Sequence, residues 1–300
     1  MISESAKSFT LDVSTVIAIG LSPIPMTPTL VGTLFRLSTV KFIRRKIERT
    51  CNRKIKVGQT YYNYKGEEYE VIEYNNRKNV LIRFKDDLAL TKTIASWDIK
   101  RGRIKNPGER HAYNVGYTGN GKYSPTVHRQ HHDKWIRMLE RCYSGKLPSY
   151  SGCIVKDEWH SFQNFSEWFD TKLSFWKITS RPHLDKDILS EAPIGKLYSP
   201  ETCCLIPARL NLIFTSDLTS DSQGVYKVGN RFKVTLSDGE KGRLYLGSYS
   251  NSEDAIRTYW VSKLKLLDDV LHASANTIEE KVFEAASMKI FKLKEKHGLL

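Results

Sequence analysis

The sequence contains no uninterrupted apolar run of about 18 residues, the minimum length that a membrane-spanning helix needs. Its most apolar stretch, Leu11 to Leu34, is broken by Pro23, Pro25 and Pro28. The start of the chain also lacks the charged-then-apolar pattern of a signal peptide. We therefore expect a soluble protein with no membrane partner.

Cysteines are few and irregularly spaced. There are five, an odd number, and no two of them have the C-x-x-C spacing. This pattern is unlike the regular, even-numbered framework of a disulfide-rich secreted domain. The composition therefore predicts a protein of a reducing cytoplasm.

Acidic residues are scarce relative to basic ones. The chain has 33 Asp and Glu against 47 Lys and Arg, which gives a formal net charge of +14. Such an excess indicates a polyanionic partner, with nucleic acid as the first candidate. Residues 40–60 alone contain eight basic residues and one acid, Glu48. For this segment a helix face along phosphates and a solvated linker both remain open.

Changes in composition and turn signals divide the chain, and the predicted fold class is α+β. Short β-rich runs between Ile55 and Ile104 predict a small antiparallel β-barrel. Amphipathic helices with aromatic faces, then short strands and a third helix, follow it. Three alternating strands and a helix come next. The predicted segments are a weakly structured basic stretch at 1–54, the barrel at 55–106, a central domain at 124–215, a sheet-and-helix domain at 222–271 and a final helix at 275–298.

The stretch HLDKDIL, residues 183–189, concentrates chemistry in a predicted strand. The order strand, turn, strand, helix is that of a ββα-metal fold, in which a divalent ion sits between strand and helix. Asp185 on the strand and Asn211 on the helix are hard oxygen donors suited to Mg²⁺ or Mn²⁺. His183 is a candidate general base for phosphodiester hydrolysis, because imidazole can accept a proton near neutral pH.

Three segments together resemble the HNH homing endonucleases of bacteriophages. They are WIRMLERC at 135–142, YSGCIVKDEW at 150–159, and LDKDIL followed by YSPETCCLIP and Asn211. The resemblance covers residues 130–215 and implies a ββα-metal nuclease domain that cuts or nicks double-stranded DNA with Mg²⁺ or Mn²⁺. A phage-encoded protein of this kind would work in the cytoplasm of its bacterial host.

By position in that pattern, Asp185 and Asn211 take the metal-ligand roles. The usual histidine is replaced by Lys186, and an ammonium group of ordinary pKa cannot accept a proton. His183 and Asp187 are the substitutes on the same predicted strand face, so the candidate catalytic residues are His183, Lys186 and Asp187. The replacement keeps a second hypothesis open, a catalytically decayed nuclease that acts as a DNA-binding or regulatory protein.

Residues 224–265 resemble the APETALA/ethylene-response-factor type of domain, with a G-V-Y start and an L-G-x-Y third-strand end. The resemblance implies that an exposed sheet face enters the DNA major groove. A solvated sheet face is the alternative. Arginine reads guanine edges, whereas lysine mostly contacts phosphate. The predicted DNA-binding residues are Lys227, Arg231, Lys233, Arg243 and Tyr245.

Some HNH proteins brace this fold with zinc, and the cysteines provide a weak candidate for such a site. Cys142 and Cys153, with Cys203 or Cys204, could supply the ligands, although their spacing is not that of a zinc motif. Buried small hydrophobic side chains are the alternative interpretation.

Overall fold

A computed structural model describes residues 54–176, 181–190, 196–215, 224–240 and 242–300 of the chain. The protein is a mixed α and β structure. Almost all of the predicted weakly structured segment at 1–54, including most of its basic stretch, lies outside the described residues. No helix among the described residues combines the length and apolar character needed to cross a membrane. The chain forms two compact units, the first ending at Lys105 and the second beginning at Asn106.

The first unit contains a four-stranded antiparallel meander in the order β1-β2-β3-β4, followed by a short helix. Its core consists of buried side chains, among them Tyr69, Val71 and Ile82, which are fully buried. The glycine after the helix, Gly102, has a φ of 62°, the left-handed conformation that ends many helices. The elements are β1 (Thr60–Tyr62), β2 (Glu68–Asn76), β3 (Asn79–Phe84), β4 (Thr91–Ile94) and α1 (Ser96–Arg101).

The prediction of a closed barrel at 55–106 is wrong. Within residues 54–105, β1 pairs with β2 alone and β4 pairs with β3 alone, so the sheet is open. The two edge strands are only three and four residues long. The apolar face of the sheet is covered by Ile99 of α1 and by Ile104, which belong to the same core. This face is therefore buried without closure of the strands into a barrel.

The second unit begins with two helices, α2 (Arg129–Tyr143) and α3 (Phe162–Leu173), as the aromatic periodicity predicts. Trp135, Met138 and Leu139 of α2 are completely buried. Ser161 caps α3, since its side chain accepts a hydrogen bond from the backbone amide of Asn164. Because the apolar stripe of α2 is buried, its polar residues lie on the opposite side of the helix.

Strand, turn, strand and helix then follow in the predicted order. β6 (His183–Asp185) pairs antiparallel with β8 (Cys204–Ile206), and α4 (Ala208–Thr215) follows directly. The register places His183 opposite Ile206 and Asp185 opposite Cys204. The remaining short strands, β5 (Ile154–Val155) and β7 (Leu197–Tyr198), form a parallel pair.

A three-stranded antiparallel sheet in the order β11-β10-β9 and two long helices complete the chain. Asn251 is the N-cap of the first helix, and its side chain accepts a hydrogen bond from the amide of Asp254. The elements are β9 (Val225–Val228), β10 (Arg231–Ser237), β11 (Arg243–Tyr249), α5 (Ser252–Ser274) and α6 (Glu280–Lys296).

The terminal sheet and helices share one hydrophobic core with the strand–strand–helix unit. Leu210 and Ile213 of α4 belong to the same buried cluster as Val234 of β10, Trp260 of α5 and Ile290 of α6. Because packed interiors are nearly as dense as organic crystals, elements that share a core do not move independently. α4 is therefore fixed relative to the terminal sheet.

Candidate functional site

A pocket of about 210 Å³ opens between α2 and the start of β6. Polar residues from one side of α2, spaced three or four positions apart, form one wall, and the residues at and before β6 form the other. The lining residues are Gln130, Asp133, Lys134, Arg137, Arg181 and His183. Three cations against one carboxylate make this pocket electropositive.

His183 connects the pocket with α4. Its ring nitrogen Nδ1 lies 3.1 Å from the side-chain amide nitrogen of Asn211. Two of the predicted site residues, 28 positions apart, are therefore brought together. The side chain of His183 is half-buried.

The orientation of the Asn211 amide decides which nitrogen of a neutral His183 carries the proton. With the amide NH₂ toward Nδ1, the ring accepts there and holds its proton on Nε2. With the amide turned by 180°, its oxygen accepts the Nδ1 hydrogen and Nε2 keeps a lone pair. The two orientations exchange only nitrogen and oxygen, which have similar size. General-base catalysis by Nε2 requires the second orientation.

The electrostatics of the pocket favour a neutral imidazole. Burial lowers the pKa of His183, and the positive charges of Lys134, Arg141 and Arg137 lower it further. The pKa of Lys134 is also lowered, mainly by burial and further by the positive charges of Arg137, Arg141 and Arg181. Mutual repulsion of this kind is relieved when an anion binds among the cations. The pocket is thus suited to an anionic group such as a phosphate.

Asp185 has a different environment from His183 although it lies only two residues away. Its side chain is buried, with an exposed fraction of 4%. The carboxylate oxygen Oδ1 accepts hydrogen bonds from the backbone amides of Asp187 and Ile188, at 2.9 and 2.8 Å. Burial raises the pKa of this carboxyl group, and the two backbone hydrogen bonds oppose that shift. Asp185 therefore shapes the turn that follows β6.

The predicted Mg²⁺ or Mn²⁺ ligands, Asp185 and Asn211, both have protein partners in this structure. Asp185 is buried, and its Oδ1 atom accepts two amide hydrogen bonds from its own turn. Asn211 directs its side chain to His183. The described residues contain no cluster of three or more His, Cys, Asp or Glu side chains with metal-binding geometry.

Lys186 and Asp187, the other two candidate catalytic residues, form an ion pair with each other. The Lys186 ammonium group also lies 5.9 Å from the ring centre of Tyr150 and 5.8 Å from that of Tyr198. Burial lowers the pKa of Lys186, but the hydrogen bond and charge of Asp187 outweigh it, so that the pKa is raised. Lys186 is therefore charged at neutral pH and cannot accept a proton.

Of the four cysteines considered for zinc, Cys153, Cys203 and Cys204 are buried and Cys142 is half-buried. Burial raises the pKa of the Cys142 and Cys203 thiols to about 12 in each case, and it raises that of Cys204 as well. Burial of three of these side chains agrees with the alternative interpretation of small hydrophobic residues.

The terminal sheet brings four of the five predicted DNA-binding residues to one face. Across the strands, Lys233 stands opposite Tyr226, and Thr235 stands opposite Tyr245. Directly paired residues point to the same side of a sheet. Tyr226 and Tyr245 are exposed by 48% and 63%. The exposed face comprises Tyr226, Val228, Arg231, Lys233, Thr235, Arg243 and Tyr245, and we call it the basic sheet face.

Lys227 is the exception among the predicted DNA-binding residues. It pairs with Phe232, whose side chain packs toward α5, so Lys227 points to the opposite side of the sheet from Arg231 and Lys233. The two-residue turn at Gly229-Asn230 sets this parity, because it pairs Val228 with Arg231.

The α2 wall of the pocket does not follow from the sequence patterns considered above. Gln130, Lys134, Arg137 and Arg141 recur at the spacing of one helical face, opposite the apolar stripe. A polar helical stripe is usually a solvated surface, and its location beside His183 is a tertiary feature.

Comparisons with protein families, curated proteins and solved structures find no match to this chain.

Proposed function

We propose that the chain binds double-stranded DNA and hydrolyses a phosphodiester bond in the pocket beside His183. One observation carries the proposal: an imidazole favoured in its neutral form, hydrogen-bonded to Asn211, faces a pocket lined by Lys134, Arg137 and Arg181. A proton acceptor and a cationic cradle are what the reaction requires of a protein. The resemblance to HNH endonucleases points to the same reaction.

In the proposed reaction, the Nε2 atom of His183 takes a proton from a water molecule as the water oxygen attacks phosphorus. The bond between phosphorus and the leaving sugar oxygen breaks, and that oxygen gains a proton from solvent. The products are a phosphate monoester and a hydroxyl group. Lys134, Arg137 and Arg181 stabilise the negative charge that develops on the phosphate oxygens. In this reaction the Asn211 amide takes the second orientation, in which its oxygen accepts the Nδ1 hydrogen and leaves the lone pair on Nε2.

The basic sheet face supplies the proposed contact with the duplex outside the pocket. Arg231, Lys233 and Arg243 offer charge to phosphates and hydrogen bonds to base edges, and Tyr226 and Tyr245 offer stacking and apolar surface. Contacts of this kind release counterions and make binding sensitive to salt. The formal charge of +14 agrees with a polyanionic partner.

A second candidate function, DNA binding without cleavage, is favoured by the environment of Asp185 and Lys186. In the HNH pattern these positions correspond to the metal ligand and the histidine base. Here one is buried in a backbone turn and the other forms an ion pair with Asp187. A regulatory DNA-binding protein derived from a nuclease would tolerate both changes.

A cleavage assay distinguishes the two functions. Purified protein is incubated with supercoiled plasmid and with phage and bacterial genomic DNA in Mg²⁺, in Mn²⁺ and in EDTA, and duplex affinity is measured separately by fluorescence anisotropy. The first proposal predicts nicked or linear products that disappear in His183→Ala while affinity is retained. Tight binding with intact DNA under all three conditions would instead establish the second function.

A further inference from the structure

Lys263 of α5 is buried in an apolar core, with an exposed fraction of 1%. Its ammonium nitrogen donates a hydrogen bond of 2.8 Å to the backbone carbonyl of Ile213. Burial lowers the pKa of this lysine to about 8. Burying an ammonium group is costly unless its hydrogen bonds are made. The position of Lys263 therefore points to a specific structural task.

The partner of Lys263 is the last turn of α4. Carbonyl groups in the last turn of a helix need hydrogen-bond donors from outside the helix, and the negative end of the helix dipole favours a cation there. Ile213 lies in that turn, two residues after Asn211, which contacts His183. Lys263 thus fixes the C-terminal end of the helix that carries Asn211.

The first turn of α4 is held by the turn between β10 and β11. The Nε atom of Arg209 donates to the carbonyl of Asp238 at 3.0 Å, and Glu240 lies 3.8 Å from the same nitrogen. Gly239 has a φ of 78°, and a Cβ atom added there would lie 2.5 Å from the side chain of Ile213. The tip of this hairpin therefore contacts α4 at a distance that only glycine permits.

We infer that Lys263 is a positioning residue for the pocket: together with the β10–β11 hairpin it clamps α4 so that Asn211 meets His183. The same hairpin joins the strands of the basic sheet face. The basic sheet face is therefore connected through α4 to Asn211, which contacts His183. The kinetic consequence rests on the proposed hydrolysis, whereas the effect on His183 does not.

Three variants of the full-length chain test the inference. Lys263→Met removes the buried donor while keeping an unbranched apolar side chain, and Lys265→Met is the matched control on an exposed position of the same helix. Arg209→Met removes the half-exposed contact to the hairpin and leaves the core intact. Circular dichroism and thermal unfolding establish that each variant is folded at the assay temperature.

The first readout is the NMR spectrum of the His183 ring nitrogens in protein labelled with ¹⁵N-histidine, assigned with a His183→Gln variant. We expect Lys263→Met to shift these resonances and Lys265→Met to leave them unchanged. The second readout is kinetic. Lys263→Met should lower kcat by about tenfold, as a small misplacement of a catalytic group does, with little change in KM or duplex affinity.

Unchanged His183 resonances in folded Lys263→Met protein would overturn the inference, whether or not the protein cleaves DNA. If Lys263→Met does not fold, Arg209→Met decides. A smaller shift of the His183 resonances in the same direction supports the clamp, and no shift contradicts it. Absence of cleavage by the wild type with the expected NMR shifts would refute the proposed hydrolysis and leave the positioning role intact.

Discussion

The two ends of the segment His183–Asp187 differ in how far their side chains are engaged with groups of their own turn. At its start, His183 is half-buried, faces a cationic pocket and is held by a side chain from another element. At its end, Asp185 is bonded to its own turn and Lys186 is paired with Asp187. The ionisable residues of this segment thus separate into one that faces a pocket and three that are engaged with groups of their own turn. Burial and local partners decide this difference.

The largest expected effect is a loss of cleavage rate when one residue at each end of this segment is replaced by alanine. His183→Ala should lose at least about 100-fold in cleavage rate, in line with the contribution of a general base. Lys186→Ala should lose less, since its ammonium group is already engaged with Asp187. Single-turnover rates on one duplex measure both, at a temperature where circular dichroism shows both variants folded. Larger loss in Lys186→Ala would move the chemistry to the other end of the segment.

A pair of substitutions at Asp185 separates a turn-forming role from a metal-binding role. Asp185→Ala leaves two backbone amides without their acceptor, so the free energy of unfolding should fall by about 1–3 kcal/mol. Asp185→Asn keeps a side-chain oxygen for the same amides and should retain most of the stability and the cleavage rate. Denaturant unfolding and cleavage assays test both variants. A stable Asp185→Asn protein with no Mg²⁺-dependent cleavage would identify Asp185 as a metal ligand.

Sequence patterns were sufficient to predict the helices and strands that carry the site. Periodicity predicted α2 and α3, and the order of strands and helix placed His183 and Asn211 in one unit. Local patterns do not reveal burial, so they could not show that Asp185 faces inward and caps its turn. The open sheet at 60–94 was also unpredictable, because barrel closure depends on whether two distant edge strands meet. The side of Lys227, by contrast, follows from the two-residue turn and was available from the sequence.

The basic sheet face allows a comparison between its two sides. Replacing Arg231, Lys233 and Arg243 by Ala should weaken duplex binding and reduce the slope of log affinity against log salt by about 2–3. Lys227→Ala, on the opposite side of the same sheet, is the control and should leave the slope nearly unchanged. Anisotropy titrations at several salt concentrations measure both. An unchanged slope in the triple variant would make this face a solvated surface.

The smallest effect concerns the pH dependence of cleavage. Burial and the neighbouring cations lower the pKa of His183, so the neutral base should persist below the ordinary value of 6.5. The cleavage rate should therefore fall only as the pH drops through a midpoint below 6.5. Lys134→Met removes the positive charge that lowers this pKa most and should move the midpoint upward. If the midpoint were unchanged in Lys134→Met, the cations of the pocket would not influence the base that acts in cleavage.

The most direct test of the central claim, that a DNA phosphate occupies the pocket beside His183, is an NMR titration that needs no catalysis. Protein labelled with ¹⁵N-histidine is titrated with a short duplex, and the His183 ring signals are followed with pH. We expect the duplex to shift these signals and to raise the pKa of His183, because a phosphate anion offsets the surrounding positive charge. Saturable duplex binding that leaves both the signals and the pKa of His183 unchanged would contradict it.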